Sequence, residues 1–299
     1  MRNAFSVDHV IIFNNNHLSI RFCDTIIKKL INHASTTVCI LLIAPSEGMR
    51  MQESKLEMMI QGHEIWLEKT DEQNDEFSLA LAYGHNMKQD GLADAKRLNA
   101  FVYLPDGKRE SIDLIPDKNR YLIRVKPEKD SYRTVIVDMG SIVFTQTKKG
   151  YEQGPKSQFK DVIYAGAFHQ MAKFICSAGD DKAFSGKVEH GILEIVPKTP
   201  NCKVGQDAEL QVFYEGKPLP EAEIKAVSKN LERNDEGNEK KSEGKEMAFA
   251  KTDGNGIARI PVTEGGQWMF LARHRDPTKK VNDAFDESVF VNTLVMECR

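Results

Sequence analysis

The chain has few of the residues that mark the commonest functional sites. Its 299 residues include five cysteines, and none stands in a CxxC pair, which argues against a cysteine-ligated zinc site. Two tryptophans give little material for a flat aromatic surface that would bind a polysaccharide. No basic stripe is interleaved with aromatic residues, and so we expect no nucleic-acid partner. No Ser/His/Asp or paired-carboxylate pattern stands out, and we predict that the chain is not an enzyme.

Long apolar runs are also missing. The run at residues 38–44 is too short to span a bilayer as a helix, but basic residues precede it, as in a secretory signal peptide. We therefore predict that residues 1–62 form a leader or a signal-like, disordered segment. The mature protein would then be periplasmic or at the cell surface. About 17 residues separate Ala44 from Gly62, more than a signal peptide needs, which leaves a cytoplasmic location open.

The remaining composition is that of an ordinary globular protein. It is 40% hydrophobic and 28% charged with a net charge of −3, and its length suits about two domains. Short apolar segments separated by turn signals predict an all-β chain with two β-sandwich domains, residues 63–186 and 187–299. Seven segments between residues 192 and 297 predict an immunoglobulin-like or transthyretin-like second sandwich. Within the first domain, residues 162–176 have helical spacing, and we expect a helical turn there that leads into a strand.

The most informative stretch runs from Gly62 to His85. Polar residues 70–76 separate two apolar segments and predict a turn. Folding the segments back about Asn74 places Ile65 opposite Tyr83 and His63 opposite His85. Opposed side chains lie about 5 Å apart at Cβ, so that two imidazoles could share one metal ion. The alternative is a hairpin whose two histidines merely end an apolar face.

Three other features favour structural roles. Residues 252–256 alternate Asp and Asn with Gly but lack the later bidentate Glu of a calcium loop, and they predict a hairpin turn. His169, isolated in residues 162–176, is predicted to be a structural histidine. Cys176 and Cys202 could pair in an oxidising compartment, which the sequence leaves open.

A set of motifs in order along the chain resembles a known family. The motifs are HEIWLE, LAYGH, LEIVP, YEGKPLPEAEIKA, KTDGNGIARIPV and GGQWMFLARH. From His63 to the C-terminus the chain resembles the periplasmic nickel-uptake accessory family, a NikK-like domain of unknown function associated with energy-coupling-factor-type nickel or cobalt transport. The resemblance implies metal ligands at His63 in HEIWLE, His85 in YGH and His274 in the terminal ARH, and His190, just before LEIVP, is a further candidate that is offset from the family position.

The function implied by this resemblance is that of an exported metal-binding accessory protein. It would bind nickel, with cobalt or copper as alternatives, and assist uptake by membrane transporter subunits. Imidazole suits nickel, copper and zinc, and divalent affinity rises from cobalt through nickel to copper, so that the ligand type does not select nickel over copper. The competing hypothesis is a non-catalytic β-sandwich interaction module with no metal role.

Overall fold

A computed structural model describes residues 62–73, 76–127, 129–178, 184, 186–229, 231–233, 239–241 and 245–299. Between residues 230 and 247 it describes the backbone only, and elsewhere in these ranges it also describes the side chains. The predicted leader lies outside these ranges apart from Gly62. Within them, no helix is both long enough and apolar enough to cross a bilayer. The strands, numbered in chain order, are β1 Glu64–Gln73, β2 Glu76–His85, β3 Lys88–Gly91, β4 Asn99–Tyr103, β5 Arg109–Ser111, β6 Ile115–Asp117, β7 Arg120–Val125, β8 Ser131–Thr147, β9 Gly150–Gln153, β10 Val162–Ala178, β11 Leu193–Pro197, β12 Asp207–Tyr214, β13 Lys217–Pro218, β14 Glu223–Lys229, β15 Leu231–Arg233, β16 Glu239–Lys241, β17 Lys245–Lys251, β18 Ile257–Pro261, β19 Gly266–Asp276 and β20 Glu287–Cys298.

The prediction of an all-β chain is confirmed, since the helices of the described residues are two single 3₁₀ turns, Ala95–Arg97 and Lys156–Gln158. Of the four sheets in the described residues, three make up the body, and the fourth is the two-stranded pair β15–β16. A central nine-stranded sheet has the order β17-β14-β19-β20-β10-β8-β4-β5, with β9 beside β8. One outer sheet has the order β1-β2-β7-β6, with β3 beside β2, and the other has the order β11-β12-β13, with β18 beside β12.

The two outer sheets cover opposite faces of the central sheet, so that the chain forms two sandwiches. Successive residues of a strand point to opposite faces, and β19 illustrates this alternation. Met269 packs into the apolar cluster beneath the β1–β2 sheet, with Ile65 and Leu67. Trp268 and Phe270 pack into the cluster beneath the β11–β12 sheet.

Strands from both predicted domains build the central sheet. Strand β10 pairs in parallel with β20, from Gly166 opposite Glu287 to Phe174 opposite Val295. Strands β4, β5, β8, β9 and β10 precede residue 187, whereas β14, β17, β19 and β20 follow it. The split at residue 187 stays a prediction, and the described residues belong to one compact unit.

One segment of the first half differs from its predicted structure. The predicted helical turn in residues 162–176 is wrong, because β10 runs without interruption from Val162 to Ala178. Small and apolar residues are buried on both of its faces, with Ala172 in one core and Met171 in the other. A central strand covered on both sides has no polar face, and so its apolar residues also match helical spacing by chance.

Strand β1 is an edge strand, and side chains of the central sheet hold its free edge. Gln170 donates to the His63 carbonyl at 2.7 Å, and Thr293 donates to the Ile65 carbonyl at 2.7 Å. The Gln267 amide bonds both the N–H and the carbonyl of Lys69. These bonds satisfy backbone groups that would otherwise be unpaired, and they fix where His63 enters the sheet.

Candidate metal centre

The hairpin that carries the two histidines has the predicted register. Ile65 pairs with Tyr83, Leu67 with Leu81 and Lys69 with Leu79. His63 immediately precedes β1, and His85 ends β2. Their imidazole centroids are 4.2 Å apart.

The predicted turn over residues 70–76 is wrong in its extent. Strand β1 continues to Gln73, and β2 begins at Glu76. A bulge between Lys69 and Asp71 shifts the register by one residue, so that Gln73 pairs with Glu76. Residues 74 and 75 lie outside the described residues. The bulge leaves the pairing on the histidine side unchanged, because it falls between that side and the chain reversal.

A second, tighter hairpin adds a carboxylate to the histidine pair. Asn86 and Met87 both have positive φ angles, 52° and 60°, as in a two-residue type I′ turn. Met87 is 2% exposed, and its burial in the core offsets the strain of this conformation for a residue with a side chain. The turn reverses the chain into β3, which pairs with β2 and returns Asp90 to the side of His85.

The three side chains converge on one point. The Nε2 atom of His63 lies 3.0 Å from Oδ1 of Asp90, and Nδ1 of His85 lies 2.8 Å from Oδ2. One ligand atom from each residue lies within 4.8 Å of the other two. The His63 ring stacks on Tyr83 with centroids 4.7 Å apart and planes 8° from parallel, which fixes its orientation.

The site opens to solvent, and its charges favour a cation. The exposed fractions of the His63, His85 and Asp90 side chains are 40%, 42% and 39%. Desolvation acts to raise the pKa of Asp90, but the His85 hydrogen bond and the His63 charge outweigh it, and the pKa is lowered. The carboxylate is therefore ionised at neutral pH. Beneath the site, Glu64 accepts the Asn86 backbone N–H at 2.6 Å, which secures the turn.

These donors fit a divalent transition metal. Two ligand atoms that occupy neighbouring positions on one ion, each about 2.1 Å from it, are about 3 Å apart. The two nitrogen–oxygen distances at Asp90 have this size. Imidazole nitrogen suits nickel, copper, zinc and iron, and two histidines with one carboxylate leave coordination positions open.

Comparison with known proteins supplies a family. The sequence model of the protein family described as "Domain of unknown function (DUF4198)" matches residues 60–276 of this chain. This chain belongs to the DUF4198 family. No curated protein matches it. One solved structure, described as "Crystal structure of group B streptococcus pilus 2b backbone protein", covers 80% of this DUF4198 chain and 98% of its own, with 10% identity and a TM-score of 0.14. An overlap with so low a TM-score does not support transfer of fold or function.

His274, the third ligand implied by the resemblance, is not in this cluster of the DUF4198 chain. Its ring lies against Tyr214, with centroids 4.3 Å apart. Burial lowers the pKa of His274, although Asp276 and Glu215 act in the opposite direction. The Tyr214 hydroxyl donates to Asp276 at 2.6 Å. His274 therefore lies near an aromatic ring and acidic side chains that are not part of the His63, His85 and Asp90 cluster.

A second histidine cluster surrounds Asp138. Nε2 of His169 lies 2.8 Å from one carboxylate oxygen, and Nε2 of His190 lies 3.0 Å from the other. The Ser141 hydroxyl lies 3.2 Å from Nδ1 of His169. Because each imidazole occupies a different oxygen of Asp138, the carboxylate ties the segment before β11 to the central sheet. The structural role of His169 stays a prediction.

The cysteines do not form the pair that the sequence left open. Cys176 and Cys202 are both free and buried. Cys202 instead forms a backbone bridge with Cys298, which is also free and buried. Cys176 lies on β10 in the core beneath the β1–β2 sheet, whereas Cys202 packs in the opposite core, so that the central sheet separates their thiols.

Asp90 is the functional candidate that the motifs missed. The sequence signal was the spacing of His85 and Asp90 about a two-residue turn beginning with Asn86, the residue that type I′ turns prefer. Met87 at the second turn position obscured it, because methionine rarely adopts positive φ.

Proposed function

We propose that this DUF4198 protein binds a divalent transition metal through His63, His85 and Asp90. The observation that carries the proposal is that one ligand atom from each of these three side chains lies within 4.8 Å of the other two, which among the described residues holds for this group and not for the His169, His190 and Asp138 cluster. Nickel is the preferred ion because of the motif resemblance, and cobalt and copper are the next candidates. The ligand types alone also admit zinc and iron(II).

The proposed role of the bound ion is uptake. In this role the protein is exported, holds the metal at its surface and assists a membrane transporter that imports it. The open position of the three side chains supports such a role, because a partner can approach the ion and replace its solvent ligands. A transporter partner and an exported location rest on the resemblance and on the signal-like leader.

Calorimetric titration with nickel, cobalt, copper, zinc and iron(II) salts tests the metal proposal. We expect one bound ion per chain. The variants His63→Ala, His85→Ala and Asp90→Asn should each weaken binding by more than about 100-fold, because even groups that only orient a ligand contribute 10–100-fold.

His274→Ala is the matched control. This substitution removes an imidazole outside the cluster, and the metal affinity of the variant should equal that of the wild type. A loss of affinity in His274→Ala with none in His63→Ala would place the site at His274 and not at the hairpin. Absence of binding to every ion in the wild type would refute the metal proposal and leave the interaction module.

The start of the mature chain adds a second test. Cleavage between Gly62 and His63 would give His63 a free α-amine, whose ordinary pKa is about 7.7–8.0, as an additional nitrogen ligand. Protein beginning at His63 should then bind nickel or copper more tightly than the full chain. Equal affinity would show that the amine is not a ligand, while the side-chain cluster would still account for binding.

The uptake role has its own measurement. Deletion of the gene should lower the nickel content of cells grown in trace nickel, and a copy with His85→Ala should not restore it. Normal nickel content after deletion, together with metal binding by the purified protein, would separate binding from uptake.

A further inference from the structure

Away from the metal site, three polar side chains lie in the interior of the second sandwich. Lys173 is 2% exposed, Glu194 is 1% exposed and Asn292 is 1% exposed. The Lys173 Nζ atom lies 2.6 Å from Oε1 of Glu194. The Asn292 side-chain oxygen accepts the backbone N–H of Ile195 at 2.9 Å. The Lys173 amine therefore contacts Glu194 and the Asn292 carboxamide contacts Ile195, which are consecutive residues of β11.

The strand geometry places the amine and the carboxamide on the same face. Lys173 lies on β10 between Met171 and Ile175, which both pack toward the β11–β12 sheet. Asn292 lies on β20 between Phe290 and Leu294, which pack toward the same sheet. Because residues i and i+2 share a face, Lys173 and Asn292 point into one layer.

Their spacing suits a covalent bond. Strands β10 and β20 are adjacent and parallel, with Met171 opposite Asn292 and Lys173 opposite Leu294. Lys173 is thus one strand across and two residues along from Asn292, which corresponds to a Cα separation of about 8 Å. An extended lysine side chain joined to a short asparagine side chain spans this distance.

We propose that Lys173 and Asn292 form an intramolecular isopeptide bond, with Glu194 as the acid and base of the reaction. In the ion pair, Glu194 first takes a proton from the Lys173 ammonium. The neutral amine attacks Cγ of Asn292, and a C–N bond forms. Glu194 then gives this proton to the Asn292 Nδ2 group and takes the second proton from the newly bonded Lys173 nitrogen, the old C–N bond breaks and ammonia leaves, so that the isopeptide nitrogen has one hydrogen and Glu194 ends protonated. No oxidant, reductant or cofactor is consumed.

The surroundings hold the reacting groups together but also stabilise Glu194 as an anion, so that the neutral amine is a minor species, and the loss of ammonia draws the reaction forward. A buried ion pair is costly, and proton transfer within it replaces two charges with two neutral groups. Burial acts to raise the pKa of Glu194, but the Lys173 charge and the backbone N–H groups of Glu189 and His190 outweigh it and lower the pKa. These groups hold the carboxylate in place beside Lys173. Exclusion of water protects the Asn292 carboxamide from competing hydrolysis.

Mass spectrometry of the full-length protein tests the proposal. The reaction removes one ammonia, so that the intact wild-type chain should be about 17 Da lighter than its sequence mass. Protease digestion should yield a branched peptide that joins the Lys173 and Asn292 segments. Lys173→Met, Asn292→Ala and Glu194→Gln should each have their full sequence mass and lack the branched peptide.

A matched control addresses another source of ammonia loss. Asn255 precedes Gly256, and an Asn–Gly sequence can lose ammonia by closing a succinimide ring. Asn255→Ala should keep both the mass deficit and the branched peptide. An unmodified Lys173 peptide and an unmodified Asn292 peptide in the folded wild type would overturn the proposal. This outcome does not require any variant to fold, and it is independent of metal binding.

Discussion

At the scale of single residues, two members of the candidate site, His63 and His85, could be predicted from sequence motifs, whereas the third, Asp90, is positioned by a turn. His63 and His85 follow from the period of two along each strand and from the pairing of Ile65 with Tyr83. Asp90 does not follow from that period, because its position depends on the reversal at Asn86 and Met87. His274 matched a motif but lies against Tyr214, since a motif does not encode which strands meet.

Asp90 also predicts a dependence of stability on pH in the metal-free protein. The lowered pKa of Asp90 means that its contribution is present above the ordinary aspartate pKa of about 3.9 and is lost as the pH falls through the folded-state value. The side chain is 39% exposed, and so Asp90→Asn should reduce the free energy of unfolding at pH 7 by less than about 1 kcal/mol.

Urea unfolding with chelator present measures this effect. The difference between wild type and Asp90→Asn should shrink as the pH falls below about 4, because the wild-type carboxylate is protonated only there. A difference that grows toward low pH would mean that Asp90 is not stabilised as an anion. The loss of metal affinity in the same variant should far exceed the loss of stability.

At the scale of secondary-structure elements, local patterns predict most of the strands, and the exceptions have physical causes. Residues 162–176 form part of a 17-residue strand, but their burial on both faces removed the alternation by which a strand is recognised. The bulge between Lys69 and Asp71 likewise has no sequence signal of its own in a run of polar residues. Both features depend on the neighbouring sheet.

The β2–β3 hairpin has a requirement that can be tested at one position. A Cβ atom added at Gly84 would lie 2.1 Å from the Lys88 carbonyl oxygen and 2.9 Å from the Asp90 backbone nitrogen. Backbone atoms on both sides cannot move without opening the hairpin. We expect Gly84→Ala to lower the free energy of unfolding by about 3 kcal/mol, at the upper end of overpacking effects. Because Asp90 is displaced, nickel affinity should also fall.

Gly254→Ala provides the control for this substitution. No atom lies within 4 Å of a Cβ built at Gly254, and its φ is not positive. Thermal unfolding of this variant should match the wild type within about 0.5 kcal/mol. If Gly84→Ala behaves like Gly254→Ala in both stability and metal affinity, the close approach of β2 and β3 does not define the site.

At the scale of the whole molecule, the shared central sheet is the feature that the sequence did not predict. Turn signals and strand patterns indicated two sandwiches, and two apolar clusters are present. The sequence contains no local sign that β10 pairs with β20, whose paired residues Gly166 and Glu287 are far apart in the chain. Such parallel pairing is set by long-range packing, which single-segment patterns do not report.

The shared sheet predicts that residues 187–299 are poorly stable alone. Without the first half, β20 becomes an exposed edge strand, and Val227, Met269 and Val295 lose the β1–β2 sheet that buries them. An exposed apolar face and an unpaired edge together favour aggregation. The isolated fragment should give a poorly dispersed amide spectrum or self-associate. Mixing or co-expressing it with residues 62–186 should restore a single cooperative unfolding transition. A dispersed spectrum from the isolated monomeric fragment, with an unfolding midpoint near that of the full chain, would mean instead that the second sandwich is independent, and that its pairing with β10 contributes little to its stability.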